Sequence, residues 1–228
     1  MKLKLIRGAK GAEEVLTRID PLDLSDLPKA VLDRTHQAFG EGVSPEQSVL
    51  KMLQDVRQDG DAAVRRYSKL LDGVELSSFK VEKEQQAQAA ASVSTELRES
   101  LELAAERIRQ FHQAVMPKDW LDEEGGLGQL VRPLERVGLY APGGTAAYPS
   151  TVLMTAIPAR VAGVNEVILC TPARPGEALN PAFLVAAEIS GVDTVYQIGG
   201  VPAIGAMAYG TDSVPKVDKI CGPGNVFV

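Results

Sequence analysis

Cysteine and histidine are nearly missing from this 228-residue chain, which has two of each: Cys170, Cys221, His36 and His112. Two cysteines cannot build a disulfide framework, and the four residues are too scattered for a Cys/His zinc cluster. A metal site would have to be carboxylate-based or completed elsewhere. No stretch approaches the ~18 apolar residues of a membrane span, which excludes a transmembrane role. Positive charge is also short: 24 Lys and Arg stand against 30 Asp and Glu, a net charge of -6. Nucleic acid and anionic membranes are held largely through Lys and Arg, so neither is expected as the main partner; a small molecule or a protein is. Met1–Arg7 carries scattered charge with no apolar stretch or small-residue cleavage site after it, so the expected setting is cytoplasmic. What is present, 45% hydrophobic and 24% charged residues, is the balance of a globular protein of one large or two small domains.

The two halves are written differently. Residues 1–120 hold 38 of the 54 charged residues but 6 of the 21 glycines. The first half reads as helical. Ser44-Pro45-Glu46 is a helix start with proline at the first helical position, and Val49, Leu50, Leu53 and Val56 recur at helical spacing until Gly60. A short helix from Asp61 is expected to turn Val64, Tyr67, Leu70 and Leu71 inward, with Gly73 as its left-handed cap. Val93, Leu97, Leu101, Ala104, Ile108, Phe111 and Val115 trace one apolar face, predicting a packing helix of about six turns. His112 beside that stripe reads as an ordinary helix-end histidine, and Asp122-Glu-Glu124 as a solvated loop.

From Arg132 onward, short β-rich runs alternate with helices. Strands are predicted at Arg136–Tyr140, Glu166–Cys170, Thr194–Ile198 and Val217–Cys221. Helices lie between them: one near Thr151–Ala162 broken or kinked by Pro158, one from the Asn180-Pro181 cap to Ser190, and Val201–Tyr209. This alternation predicts a parallel sheet with right-handed crossovers.

Ligands of such sheets bind outside the carboxyl ends of the strands. Three turns there are glycine-rich: Pro142-Gly143-Gly144, Gly199-Gly200 and Gly222-Pro-Gly224. Glycine lets backbone approach a ligand, and a helix starting after the turn offers N–H groups to an anion. None of the turns fits G-x-G-x-x-G or the P-loop, so nucleotide binding and simple tight winding both explain them. Tyr140, at its strand end, can stack on or hydrogen-bond a ligand, or can point its hydroxyl to water. Asn225 offers a donor and an acceptor, or serves the turn alone. Cys170 and Cys221, also at strand ends, have no base beside them and read as inert thiols.

Taken together, Val137-Gly-Leu-Tyr-Ala-Pro-Gly-Gly-Thr-Ala146, Tyr148–Met154, Ile157-Pro-Ala-Arg-Val-Ala-Gly163, Ile198-Gly-Gly200, Ala208-Tyr-Gly210, Val214–Ile220 and Gly222-Pro-Gly-Asn225 resemble the histidinol dehydrogenase family. Asp59-Gly-Asp61 with Tyr67, Asp72-Gly73, Arg107-Ile and Phe111-His112 extend the likeness more weakly into the first half. The match covers about the N-terminal half of a family member. The resemblance implies an NAD-dependent, zinc-requiring homodimer that oxidises L-histidinol to L-histidine through the aldehyde. It implies an α/β fold: a mainly helical segment over 1–125, then an incomplete Rossmann-like, NAD-binding sheet over 126–228 with helices on both faces. Tyr140 and Asn225 fall on cofactor-contacting positions of the family, beside Gly143 and Gly144. Pro202 stands where the family has a glutamine, removing one such contact. The zinc ligands and the Glu-His acid/base pair are expected beyond Val228, so no catalytic and no metal-binding residue is assigned within this chain. The other readings are a non-catalytic nucleotide-binding or dimerisation fragment, and a divergent member acting on another amino or hydroxy alcohol.

Overall fold

The computed structural model describes residues 29–143 and 148–224, together with Gly8, Ala9 and Ala12. Its helical segment opens with α1 (Lys29–Phe39), which has no clear cue in the sequence, and α2 (Pro45–Asp59). The expected start of α2 is a capping box: Ser44 Oγ accepts the Gln47 N–H, and the Gln47 side chain accepts the Ser44 N–H. Next come α3 (Asp61–Tyr67) and a π-helical turn, Ser68–Asp72, closed by Gly73 in the left-handed region at φ 69°. The π turn is wider than an α turn and rotates the residues after Tyr67 out of helical phase. Val64 and Tyr67 are buried as expected, but Leu70 faces out.

Two more helices follow, α4 (Lys83–Ser92) and α5 (Thr95–Ala114), the second of which is the expected long packing helix. Val93 caps the first, and Ser94 Oγ accepts the Leu97 N–H to start the second. Of the stripe, Leu101 and the half-buried Val93, Ala104 and Ile108 pack against the core, with Ala105 beside them, while Leu97, Phe111 and Val115 are exposed. The acidic loop is the turn of a hairpin, β1 (Trp120–Asp122) with β2 (Leu127–Gln129), antiparallel and exposed along both strands. Trp120 is the sole tryptophan and is 52% exposed. Its fluorescence is expected to be red-shifted and readily quenched by iodide; a blue-shifted, iodide-resistant emission would show that the hairpin is covered.

The expected parallel sheet is present. Its strands are β3 (Arg136–Tyr140), β4 (Glu166–Thr171), β5 (Thr194–Gln197) and β6 (Lys219–Cys221), all parallel, in the order β5-β4-β3-β6. Between them run α6 (Pro149–Val161), α7 (Pro181–Ser190) and α8 (Gly200–Tyr209). Pro158 sits inside α6 without ending it, since Val152, Leu153, Ala156 and Ile157 still bury one face against the core. Chain order moves outward from β3 to β5 and then returns to the other side of β3, which makes the β3/β6 boundary a topological switch point.

Residues alternate across the sheet with period two. Val137, Leu139, Val167, Leu169 and Val195 join the core with α4, α5, α6 and α7. Tyr140, Ile168, Cys170 and Tyr196 join the opposite core with α2, α3 and α8. The helices of the first half therefore cover both faces of the sheet. Gly138 allows the close approach of α8, because a β-carbon there would meet Met207 Sδ at 2.6 Å. Phe79 and Val81 run antiparallel along the outer edge of β5: the Val81 N–H donates to Val195 O (2.9 Å) and the Gln197 N–H to Phe79 O (2.7 Å). Asp61 ties α3 to the loop before β6 by accepting both the Ser213 N–H and its hydroxyl. Burial works against the charge of Asp61, but these bonds hold its carboxyl below the usual range.

Candidate functional site

A cavity of about 380 Å³ opens at the carboxyl ends of β3, β4 and β5, within the range of ~300–1,000 Å³ typical of small-molecule sites. Its floor is the strand-end residues Tyr140, Pro142 and Gly143, the loop from Pro172 to Pro175, and Gly199 with Gly200. The helical half supplies the opposite wall: Val31, Thr35 and Phe39 from α1, Pro45, Ser48, Val49 and Met52 from α2, and Leu71-Asp72 from the π turn. The walls are mostly apolar. Thr35 and Ser48 turn their hydroxyls back onto their own helices, donating to Val31 O (2.9 Å) and Pro45 O (2.6 Å). Among the described residues, Asp72, Arg174 and the Tyr140 hydroxyl are the remaining polar side-chain groups at the cavity.

Tyr140 ends β3 and is 4% exposed. Its hydroxyl does not point to water; it accepts the backbone N–H of Gly200 at 3.0 Å. Burial raises its pKa, the Gly200 bond opposes that, and the nearby charge of Asp72 adds to it. The phenol therefore stays protonated at neutral pH and keeps an O–H to donate. The Gly200 bond also changes the expectation for the turn after β5. Gly200 is the first residue of α8, and its N–H is taken; Pro202, in the same first turn, has none. The N–H groups that such a helix start offers an anion are depleted in this turn.

Gly143 brings its backbone against the next strand end: a β-carbon there would lie 3.0 Å from both Pro172 Cγ and Thr171 Oγ1. Arg174 spans the same gap, its Nε donating to Gly143 O (3.2 Å) while its Nη1 pairs with Glu177 (3.3 Å). Gly199 is closer still. A β-carbon on it would meet Pro172 Cβ at 2.6 Å and Asp72 Oδ2 at 3.1 Å. Gly222, after β6, lies on the backbone of Tyr140, where a β-carbon would meet Tyr140 O at 2.1 Å. The structure thus brings Tyr140, Gly143 and the Gly222-Pro223-Gly224 loop together around the switch point. Gly144 and Asn225 lie outside the described residues.

The thiols lie near this edge, Cys170 paired with Tyr140 and Cys221 with Leu139 in register. Cys170 is fully buried and its pKa is pushed up to about 12 by that burial, which makes it inert at neutral pH. Among the described residues, no group of three or more His, Cys, Asp and Glu is placed to hold a metal ion. Among them too, no helix is long and apolar enough to cross a membrane.

The family model described as histidinol dehydrogenase matches residues 37–228. The chain belongs to the histidinol dehydrogenase family. It is 53% identical over 209 residues to histidinol dehydrogenase of Methanosarcina mazei, covering 90% of this chain and 48% of that protein. It is 48% identical over 227 residues to that of Dehalococcoides mccartyi, covering 99% of this chain and 51% of that protein. A crystal structure of histidinol dehydrogenase from Elizabethkingia anophelis superposes with a TM-score of 0.77 at 34% identity, over 89% of this chain and 47% of that one. The chain spans about half the length of the curated relatives it matches.

With the histidinol dehydrogenase family in place, two motif residues acquire structural roles. Arg160, from the Ile157–Gly163 block, faces away from the cavity and clamps the opposite end of the sheet. Pro202 occupies a buried place in the first turn of α8 and does not line the cavity. Asp72, Arg174 and the α1 wall are site residues that sequence reasoning does not single out. Only the faint Asp72-Gly73 likeness hints at one of them, because nothing local says that a π turn will arrive at the end of β4.

Proposed function

We propose that this chain forms the cofactor side of an NAD-dependent histidinol dehydrogenase, the enzyme that oxidises L-histidinol to L-histidine through the aldehyde in histidine biosynthesis. The observation that carries this reading is the cavity at the strand ends of a doubly wound sheet, next to its switch point, in a chain of this family. The fit to NAD rests on a cavity with mostly apolar walls and on the buried Tyr140 at its edge, whose hydroxyl accepts the Gly200 N–H and keeps its own O–H. NAD, when bound, accepts the hydride that leaves the alcohol carbon.

The residues of this chain bind and orient. Gly143 and Gly222 let the strand-end backbones pack closely, Gly143 against Thr171 and Pro172 and Gly222 against Tyr140, which shapes the edge of the cavity. Tyr140 fixes the start of α8 through Gly200. The apolar walls from α1 and α2 keep water from the buried part of the ligand. Zinc does not fit the described residues, and none of them is given a step through it. The family likeness extends the proposal to a cytoplasmic homodimer whose acid/base residues lie outside this chain.

Calorimetric titration with NAD tests the reading. Tyr140→Phe and Asn225→Ala are each expected to weaken binding roughly five- to tenfold, the worth of one hydrogen bond. Affinity unchanged in both variants would remove the proposed site.

A further inference from the structure

Resting on the cofactor reading above, we infer that Tyr67 and Asp55 are positioning residues: the hydrogen bond between them, outside the cavity, holds the π turn and two helices in the arrangement that shapes the cavity for its ligand. Neither residue lines the cavity. Tyr67 is 2% exposed, and its hydroxyl donates to Asp55 Oδ2 at 2.6 Å. The same oxygen accepts from Arg66 Nη2 (2.8 Å) and Lys51 Nζ (3.2 Å). Arg66 reaches on to Asp59 (3.4 Å) and lies 5.2 Å from the centre of the Tyr67 ring. The Tyr67 bond is foremost in holding the Asp55 carboxyl below its usual range, while burial, aided by that carboxylate, pushes the phenol up to about 12. Donor and acceptor therefore both persist at neutral pH.

Three pieces of the cavity wall meet at this bond. Asp55 belongs to α2 and follows the wall residue Met52 by one helical turn. The Tyr67 ring packs on Phe39, the last residue of α1, with ring centres 6.0 Å apart, and Phe39 lines the cavity. Tyr67 itself ends α3 and leads directly into the π turn, whose last two residues, Leu71 and Asp72, line the cavity too.

The π turn is what makes the bond matter. Such turns are rare, and they persist where contacts outside the helix hold them. Its far end is closed from within, by the Gly73 N–H on Lys69 O (3.2 Å) and the Val74 N–H on Ser68 O (3.3 Å). At its near end the Tyr67 side chain ties it to α2. Released from that tie, the turn can relax toward α-helical phase, which rotates Leu71 and Asp72 away from the cavity. The fraction of molecules with a complete wall then falls, and the apparent affinity for the ligand falls with it.

The test is calorimetric titration of the 228-residue chain with NAD, well below the unfolding midpoint, in a set of variants. Tyr67→Phe keeps the ring against Phe39 and loses only the O–H. It is expected to weaken NAD binding about fivefold and to quicken amide hydrogen exchange at Gly73 and Val74 but not at Leu169 in β4. Asp55→Asn keeps an acceptor for the phenol and is expected to stay within about twofold of the parent. Asp55→Ala is expected to match Tyr67→Phe, and the double variant to bind about as well as either alone, because both substitutions remove one bond. Should Asp55→Ala fail to fold, Tyr67→Phe and Asp55→Asn still decide. A lowered unfolding midpoint with parental NAD affinity in Tyr67→Phe, or losses that multiply to about twenty-fivefold in the double variant, would overturn the positioning role and leave the cofactor reading standing. No binding of NAD to the parent at millimolar concentration would overturn both.

Discussion

Arg160→Ala is expected to lower the unfolding free energy by about 3 kcal/mol, read from urea or thermal unfolding, and Arg160→Lys to recover less than half of it. The guanidinium at the end of α6 closes the amino-terminal end of the sheet. Its Nε and Nη2 donate to Gly191 O at 2.9 and 2.6 Å, and its Nη1 to the carbonyls of Val164 and Asn165 at 2.8 Å each. Nη2 also meets the Asp193 carboxylate, which accepts the Val167 N–H at 2.7 Å. One side chain thus joins the carboxyl ends of α6 and α7 to the starts of β4 and β5, and supplies positive charge where both helix dipoles need it. Alanine leaves three carbonyls short of a donor. Lysine is a single point charge and cannot reach them as a planar fork. The side chain is partly exposed, 27%, so water replaces some of the loss, which keeps the expected cost near the lower end for such a network. A midpoint equal to the parent's would show that the clamp contributes nothing.

Gly222→Ala is expected to cost a similar amount, about 3 kcal/mol, and to speed hydrogen exchange selectively at the amides of Ile220 and Cys221. The added β-carbon would sit 2.1 Å from Tyr140 O, 2.9 Å from Tyr140 C and 3.1 Å from Tyr140 N. All three are backbone atoms of β3, so no rotamer change relieves the clash. Backbone conformation adds to the strain, with Gly222 at φ +153°. Relief requires β6 to move away from β3, breaking the pairing of Val137, Gly138 and Leu139 with Lys219, Ile220 and Cys221. If the variant melts with the parent and its β6 amides stay protected, the close approach is wrong. Because Tyr140 is a strand-end partner in the proposed cofactor site, the same variant is expected to weaken NAD binding.

The features legible in the sequence are those that short segments decide by themselves. The Ser44-Pro45 start, the Gly73 and Gly191 caps and the Asn180-Pro181 start depend on residues within one helical turn, and all are found where expected. Of the parallel strands, β3, β4 and β5 are readable as mostly buried runs set between helices, whereas β6 is short and partly exposed and is readable only from its place after α8. Leu70 departs from expectation because a π turn shifts the helical phase without any cue in composition. Pro158 does not interrupt α6, which runs from Pro149 to Val161 with one face buried in the core. The hairpin at Trp120–Gln129 is too short for alternation to register, although Gly125-Gly126 marks its turn. The site is half visible. Strand-end residues such as Tyr140 and Gly143 follow from the rule that ligands bind at carboxyl ends. The wall from α1 and the placement of Asp72 come from how the helical segment folds over the sheet, a long-range contact no local pattern encodes. Tyr140's engagement with Gly200, 60 residues away, belongs to the same class.

Binding of NAD at the carboxyl ends of these parallel strands is the premise on which the cofactor reading stands. Backbone amide chemical shifts of the isotopically labelled chain, followed through an NAD titration, probe it without recourse to turnover. Saturable shifts are expected at Gly143, Gly199, Gly200 and Val201 and in the Gly222–Gly224 loop, with Gly191 and Asp193 at the opposite end of the sheet unchanged. An absence of shifts at millimolar NAD, or shifts confined to that opposite end, would refute binding at these strand ends.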